Sequence, residues 1–350
     1  MLNIGIIGLG FMGATHLSAW QNAQRAGMTC KVVAVSDARP ERRAGDLSEV
    51  AGNLARSDTD RLAFDPSETV GYADPLDLLR DERVNAVGIC TPTDTHVELA
   101  LAALKYGKHV LVEKPVSLTI DGAQQLLRAE RESKGQVIMP AHCMRFWPAW
   151  SWLKARIDAG SFGAVKSATF TRLASRPTWS NFYSQTDRNG GALYDLHVHD
   201  ADFVRWCFGD PSHVYSLGHV GPDGGVHHIA THYRHGSDSP AKHVLAEGGW
   251  DHQNGFDFRM RYVVNFEEAT ADFDIGRERQ LLLCRNGQAE VVTLDPERGY
   301  DHEIRYFAQC CQQGRRPSIV NLDDALAVCR LLEAERRSMG SGQVESTDAR

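Results

Sequence analysis

The chain has 350 residues, a formal net charge of −7 and 42% hydrophobic residues. That length predicts two domains, because single hydrophobic cores stop growing at roughly 250–300 residues. Ordinary glycine, proline and aromatic content argues against collagen-like, disulfide-scaffold and disordered classes. A pI near 6.1 offers no basic footprint for nucleic acid, and no apolar run nears the roughly 20 residues of a membrane span.

The N-terminal run MLNIGIIGLGFMG lacks a basic leader and a small-residue cleavage site, so it reads as mature structure. Leu2 to Gly8 is a strand ending in glycine, and Thr15 to Ala26 reads as a helix. Lys31 to Ser36 is a β-branched strand, and Glu41 to Arg56 has helical potential. Val84 to Cys90 is a buried strand. Glu98 to Tyr106 has helical spacing and stops at Gly107. His109 to Val112, Ile120 to Lys134 and Val137 to Met139 continue as strand, helix, strand. Apolar strands separated by amphipathic helices predict a parallel sheet covered on both faces.

After about Met144 the pattern changes. Trp150 to Ala159 and Ala192 to Phe208 read as helices, and Ser212 to Val292 is mostly strand-like with Gly and Asp turns. Helices return at Asp301 to Gln313 and Leu322 to Arg337, and the polar tail from Ser341 reads as frayed. Eight scattered cysteines without a C-x-x-C pair fit buried thiols in a reducing cytoplasm.

Gly8-Leu9-Gly10-Phe11-Met12-Gly13 is a G-x-G-x-x-G that closes a strand and opens a helix. In that context the glycines allow a tight turn, close approach of a pyrophosphate and close helix–strand packing. Asp37 ends the second strand, where a carboxylate would hold the adenosine ribose and repel a 2′-phosphate. NAD is therefore the expected cofactor. Arg39, Arg42 and Arg43 follow at once and keep NADP possible.

Further motifs stand in order: Thr91-Pro92 with His96, Gly107-Lys108-His109-Val110, Glu113-Lys114-Pro115, His142-Cys143-Met144-Arg145-Phe146, and Gly190-Gly191-Ala192-Leu193-Tyr194-Asp195 with His199. Together with the glycine loop they resemble the Gfo/Idh/MocA family over nearly the whole chain. The resemblance implies an α/β protein: an N-terminal Rossmann domain, 1–144, and a C-terminal α/β domain, 145–340, with a large open, mostly antiparallel sheet. The helix near 322–338 could pack back on the first domain. It also implies a cytoplasmic homodimer or homotetramer, a cis candidate at Lys114–Pro115, and NAD(P)-dependent hydride transfer on a sugar, sugar derivative or cyclitol.

The chemistry of alcohol oxidation needs a base and a group that stabilises the alkoxide. An imidazole at His199 suits the first and the Lys114 ammonium the second. Asp195, four residues before His199, would share its helix face and orient substrate or bias the charges. His197 is the competing base; the i,i+4 match to Asp195 favours His199. By the resemblance, Thr91, Pro92, His96 and Glu113 are cofactor contacts, with Glu113 along the nicotinamide ribose. His96 is equally readable as a capping or core residue. Met144 and Arg145 match a pocket-lining segment, and Trp179, Asn181 and Tyr183 offer aromatic faces and an amide to a sugar.

Eight of 15 histidines fall between His213 and His252, and on a strand His228 and His232 share one face. No helical His-x-x-x-His with a partner is visible, so a sheet interface or polar lining is the expectation and no metal is assigned. Two other readings compete with a freely exchanging dehydrogenase. One is an enzyme that keeps NAD bound and uses transient oxidation for elimination, hydrolysis or epimerisation. The other is a non-catalytic NAD-binding regulator.

Overall fold

The apolar runs of the N-terminal part become strands wherever a turn residue ends them. The computed structural model describes residues 1–52, 64–236, 241 and 243–348. Among these, the chain divides into two compact units, 1–143 with 297–326, and 144–296 with 327–350.

The first unit contains β1 (Leu2–Ile7), α1 (Phe11–Arg25), β2 (Cys30–Ser36), a short α2 (Pro40–Arg43), β3 (Val70–Tyr72), α3 (Pro75–Arg80), β4 (Ala86–Ile89), α4 (His96–Lys105), β5 (His109–Glu113), α5 (Ile120–Glu132) and β6 (Ile138–Ala141). The six strands form one parallel sheet in the order β3-β2-β1-β4-β5-β6. This is the doubly wound order, whose ligand crevice opens at the carboxyl ends of β1 and β4. Residues 40–43 alone are helical in the stretch expected from Glu41 to Arg56; Gly45 at φ +94° ends it, and 53–56 lie outside the described residues. The short β3 and α3 carry too few apolar residues to stand out in the sequence.

The second unit contains α6 (Pro148–Asp158), β7 (Val165–Ser175), α7 (Thr186–Asn189), a π turn at Leu193–His197 running into α8 (Val198–Phe208), then β8 (His213–Val220), β9 (Val226–Arg234), β10 (Val244–His252), β11 (Arg259–Phe266), β12 (Thr270–Asp274), β13 (Leu281–Arg285) and β14 (Gln288–Val291). The first unit resumes with α9 (Gly299–Gln313), and α10 (Leu322–Ser341) and β15 (Glu345–Ser346) close the chain. Nine strands make one sheet, ordered β14-β13-β12-β11-β7-β10-β9-β8-β15, antiparallel except for β7 beside β10. Trp150, Phe170, Phe203, Tyr262 and Phe273 fill its core, with Trp150 edge-on to three of the other rings.

Two expectations change. The tail is not frayed at 345–346: Glu345 and Ser346 pair antiparallel with Val214 and His213, so the backbone of β8 finds partners there. The segment 297–326, expected in the second domain, belongs to the first unit. Its α9 packs on α1 through an edge-on Trp20–Phe307 contact at 6.2 Å and an Asn22–Asp301 hydrogen bond at 2.9 Å. No helix among the described residues is long and apolar enough to cross a membrane.

Glu303 on α9 is fully buried, and neither of its carboxylate oxygens has a hydrogen-bond partner. Burial first, and then the charge of Glu113, push its carboxyl well above the ordinary glutamate range. The folded chain therefore holds this proton to higher pH than the unfolded chain, which releases it above its ordinary value of 4.5. The contribution of this group to stability therefore falls as pH rises above that value, by roughly tenfold in the folding equilibrium per pH unit until the folded value is reached. Glu303→Gln is expected to stabilise the chain at pH 8 and to show little gain at pH 4.5. Denaturant titrations at the two pH values check this, and an equal effect at both contradicts it.

Candidate active site

The glycine turn begins with Gly8 at φ +88°, a conformation that strains a side chain, and a Cβ there would stand 2.7 Å from the Cys90 carbonyl oxygen. At Gly13 a Cβ would meet the Gly8 carbonyl oxygen at 1.8 Å, so only glycine lets α1 start this close to β1. Gly10 is the N-cap of α1. No side chain caps this helix, its first turn carries no acid, and a Cβ at Gly10 would have no neighbour nearer than 4.0 Å. Phe11 and Met12 are half-buried in that first turn, with the Phe11 ring against Gly52. Uncapped N–H groups facing open space suit the pyrophosphate of a dinucleotide.

Asp37 braces the turn from the end of β2. One carboxylate oxygen accepts from Leu9 N–H at 2.7 Å, the other from Arg39 N–H at 2.9 Å. A carboxylate offers about four lone-pair sites, so two remain for ribose hydroxyls. Arg43 donates to the Asp37 and Ala38 carbonyls, and an Arg42 nitrogen lies 3.7 Å from the Asp37 carboxylate. Beside them is a pocket of about 190 Å³ lined by Arg39, Glu41, Arg42, Asp46, Glu49 and Val50.

At the end of β5, Glu113 is buried and turns inward. Its Oε1 lies 2.8 Å from His16 Nε2 on α1, and its Oε2 accepts from Lys114 N–H at 3.2 Å. Burial alone would raise this carboxyl, but His16, Lys114 and His96 together hold it below the ordinary range. Sequence reading sets Glu113 along the nicotinamide ribose; in the structure its carboxylate braces the Lys114 backbone and His16. The Lys114–Pro115 bond is cis. His96 is also buried, with Nδ1 2.9 Å from the Pro115 carbonyl and Nε2 2.9 Å from the Thr91 carbonyl. Burial, opposed by those two contacts, lowers its pKa. It joins Thr91 to the Lys114–Pro115 loop and is a positioning group here. Thr91 and Pro92 are half-buried at the end of β4, and the Thr91 hydroxyl accepts from Thr95 at 2.7 Å. His16 was not singled out in the sequence. Its signal is its place on α1, three residues after Gly13.

In the second unit, Gly191 at φ +74° turns the chain into the π segment, where a Cβ would stand 2.7 Å from the Val226 carbonyl. Between Gly191 and Val204, only Asp195 and His199 are partly exposed; every other residue is buried. The structure also separates the two histidines. His197 is fully buried, 2.9 Å from Glu335 and 3.2 Å from the Tyr233 hydroxyl. A base must reach substrate, and His199 is the one of the pair with exposed surface.

The other expected substrate contacts divide. Met144 and Arg145 are each only 2% exposed. Arg145 makes a bidentate pair with buried Asp202, at 2.9 and 2.6 Å, and stacks over Trp206. A guanidinium so buried and paired fixes α8 in place and turns its fork to Asp202, which counts against the pocket reading of this residue. Arg172 and Asp200 form a second buried bidentate pair. Trp179 is 39% exposed, lies edge-on to Tyr183, and Asn181 is exposed beside them. Burial and the nearby charge of Asp195 raise the Tyr183 pKa, which sets that ring near Asp195.

Comparison with known proteins matches these features. Residues 2–142 match a family model described as "Oxidoreductase family, NAD-binding Rossmann fold", and residues 150–274 match "GFO/IDH/MocA C-terminal domain". An inositol 2-dehydrogenase of Saccharopolyspora erythraea is 30% identical over 209 residues, 59% of this chain and 54% of that protein. The scyllo-inositol 2-dehydrogenase (NAD(+)) of Bacillus subtilis is 26% identical over 262 residues, 71% of this chain and 74% of its own. The chain spans about half the length of most curated relatives that it matches, as in the 54% case above. A levoglucosan dehydrogenase in complex with NADH and levoglucosan shares the fold, with TM-score 0.81, 22% identity, and coverage of 99% of this chain and 100% of that one.

Removing one partner of the Arg145–Asp202 pair strands a buried charge, at a cost of about 3–5 kcal/mol. Arg145→Ala is expected to lower the denaturation midpoint and the folded yield. A stable variant with only a raised KM would restore a substrate-binding role.

Proposed function

We propose that this chain, which belongs to the Gfo/Idh/MocA oxidoreductase family, is an NAD-dependent dehydrogenase acting on a secondary alcohol of a sugar, sugar derivative or cyclitol. The observation that carries the reading is that an NAD-binding Rossmann unit shares the chain with a segment, 191–204, in which Asp195 and His199 alone are partly exposed. Similarity to inositol dehydrogenases points to the same substrate class.

In this reading the Gly8–Gly13 turn and the first N–H groups of α1 hold the pyrophosphate, and the free lone pairs of Asp37 take the adenosine ribose. The glutamates and aspartate that share the neighbouring pocket with Arg39 and Arg42 oppose a 2′-phosphate, so NAD is favoured over NADP. When bound, the nicotinamide supplies the hydride acceptor or donor. Lys114 directs its ammonium to the reacting oxygen and favours alkoxide over alcohol. His199 takes the hydroxyl proton in oxidation and returns it in reduction. Asp195 accepts hydrogen bonds from neighbouring hydroxyls and fixes the substrate's orientation. Trp179 and Tyr183 offer C–H-binding faces to a ring.

A cytoplasmic homodimer or homotetramer completes the proposal. It is supported by a half-exposed sheet face that presents Leu217 and Val263.

Lys114→Ala is expected to lower kcat at least 1000-fold, on the scale of a lost oxyanion donor, while NAD affinity measured by calorimetry changes little. Unchanged turnover contradicts the mechanism. Asp37→Ala is expected to weaken NAD more than NADP, read as the ratio of the two dissociation constants, and an unchanged ratio removes the assigned cofactor preference.

A further inference from the structure

Three neighbouring strands of the second unit bring imidazoles to one carboxylate. His219 of β8 stands directly opposite His228 of β9, and His228 opposite Gly249 of β10. Opposed positions share a sheet face. In β10 a bulge sets Asp251 and His252 both against Ser175, so two consecutive residues serve one site. Sequence reading missed this cluster, because strict alternation sends adjacent residues to opposite faces.

Asp251 Oδ1 is 3.0 Å from His228 Nδ1 and 3.6 Å from His252 Nδ1, and Asp251 Oδ2 is 3.5 Å from His219 Nδ1. The ligand atoms of His228, Asp251 and His252 all lie within 4.8 Å of one another. Donors held about 2.0–2.1 Å from a tetrahedral zinc ion stand about 3.3–3.4 Å apart, between the 3.0 and 3.6 Å that separate Asp251 Oδ1 from His228 and His252.

The surroundings orient these donors. His228 turns its other ring nitrogen to Glu247 at 3.1 Å, the carboxylate–histidine arrangement that fixes ring orientation in metal sites. His252 stacks on Phe256 with centroids 4.1 Å apart, and its Nδ1 is buried without a hydrogen bond. A Cβ at residue 249 would stand 2.7 Å from His228 Nδ1, so Gly249 leaves the space that this nitrogen occupies.

We propose that His228, Asp251 and His252 bind a divalent transition-metal ion of zinc's class. Two imidazole nitrogens and one carboxylate suit Zn²⁺, Co²⁺ or Ni²⁺, and do not suit Mg²⁺ or Ca²⁺, which take oxygen donors. The site shares no residue with the dinucleotide turn or with Lys114, Asp195 and His199, and it does not depend on the dehydrogenase reading.

The test uses the untagged full chain, stripped with chelator and dialysed against Zn²⁺, with metal counted by elemental analysis and affinity set by a chromophoric competitor. One zinc per chain is expected. His228→Ala, Asp251→Asn and His252→Ala should each weaken binding by more than the roughly 10–100-fold expected for the outer partner in Glu247→Gln. Gly249→Ala keeps every donor yet crowds His228, and should also weaken binding. His243→Ala, at a two-histidine contact elsewhere on the face, should leave it unchanged. Co²⁺ bound to the wild type should show the visible spectrum of a nitrogen–oxygen tetrahedral site, a readout that needs no variant to fold. Failure of the wild type to retain zinc, or equal retention by the three donor variants, overturns the proposal.

Discussion

A buried imidazole–carboxylate pair, His16 with Glu113, ties the first turns of α1 to the end of β5. β1, which leads into α1, and β5 flank β4 in the sheet, and His16 passes over Gly88 of β4, where a Cβ would approach it to 3.4 Å. The consequence reaches Lys114: the second Glu113 oxygen holds the Lys114 amide, and His96 holds the Pro115 carbonyl. The glycine turn and the Lys114 loop are thus braced from below by residues that never need to face a ligand. Burial and the charge of Glu113 raise the Glu303 carboxyl, while His16, Lys114 and His96 hold Glu113 below its ordinary range.

The second unit solves a similar problem with ion pairs. The chain from Gly191 to Val204 carries two histidines and three aspartates. Asp200 and Asp202 are taken by Arg172 and Arg145, and His197 by Glu335. What remains at the surface of this run is Asp195 and His199. Buried pairs of this kind contribute little net stability but penalise any arrangement that breaks them, so they fix which helix face is presented.

Much of this was legible beforehand. The period of apolar runs and the glycine spacing specified the parallel sheet, the turn and Asp37. The i,i+4 relation pointed to Asp195 and His199, which are the two partly exposed residues of the 191–204 run. Family resemblance added the order of motifs and the second sheet. What stayed hidden were the partners of polar groups, which depend on contacts far apart in sequence. Glu113 reads as a ligand contact until His16, 97 residues away, is seen beside it. Arg145 reads as a substrate fork until Asp202 occupies it. The 345–346 strand was hidden because a two-residue edge pairing has no hydrophobic signature.

The proposed function has one chain couple NAD to oxidation of a polyol. Its most direct test is a spectrophotometric screen of the purified protein with NAD against inositols, sugars and sugar acids, with the nucleotide content of denatured protein measured alongside. Steady formation of reduced nicotinamide with one compound class, and none without added NAD, is the expected result. Silence across the panel, with nucleotide recovered from the denatured protein, would contradict a freely exchanging dehydrogenase.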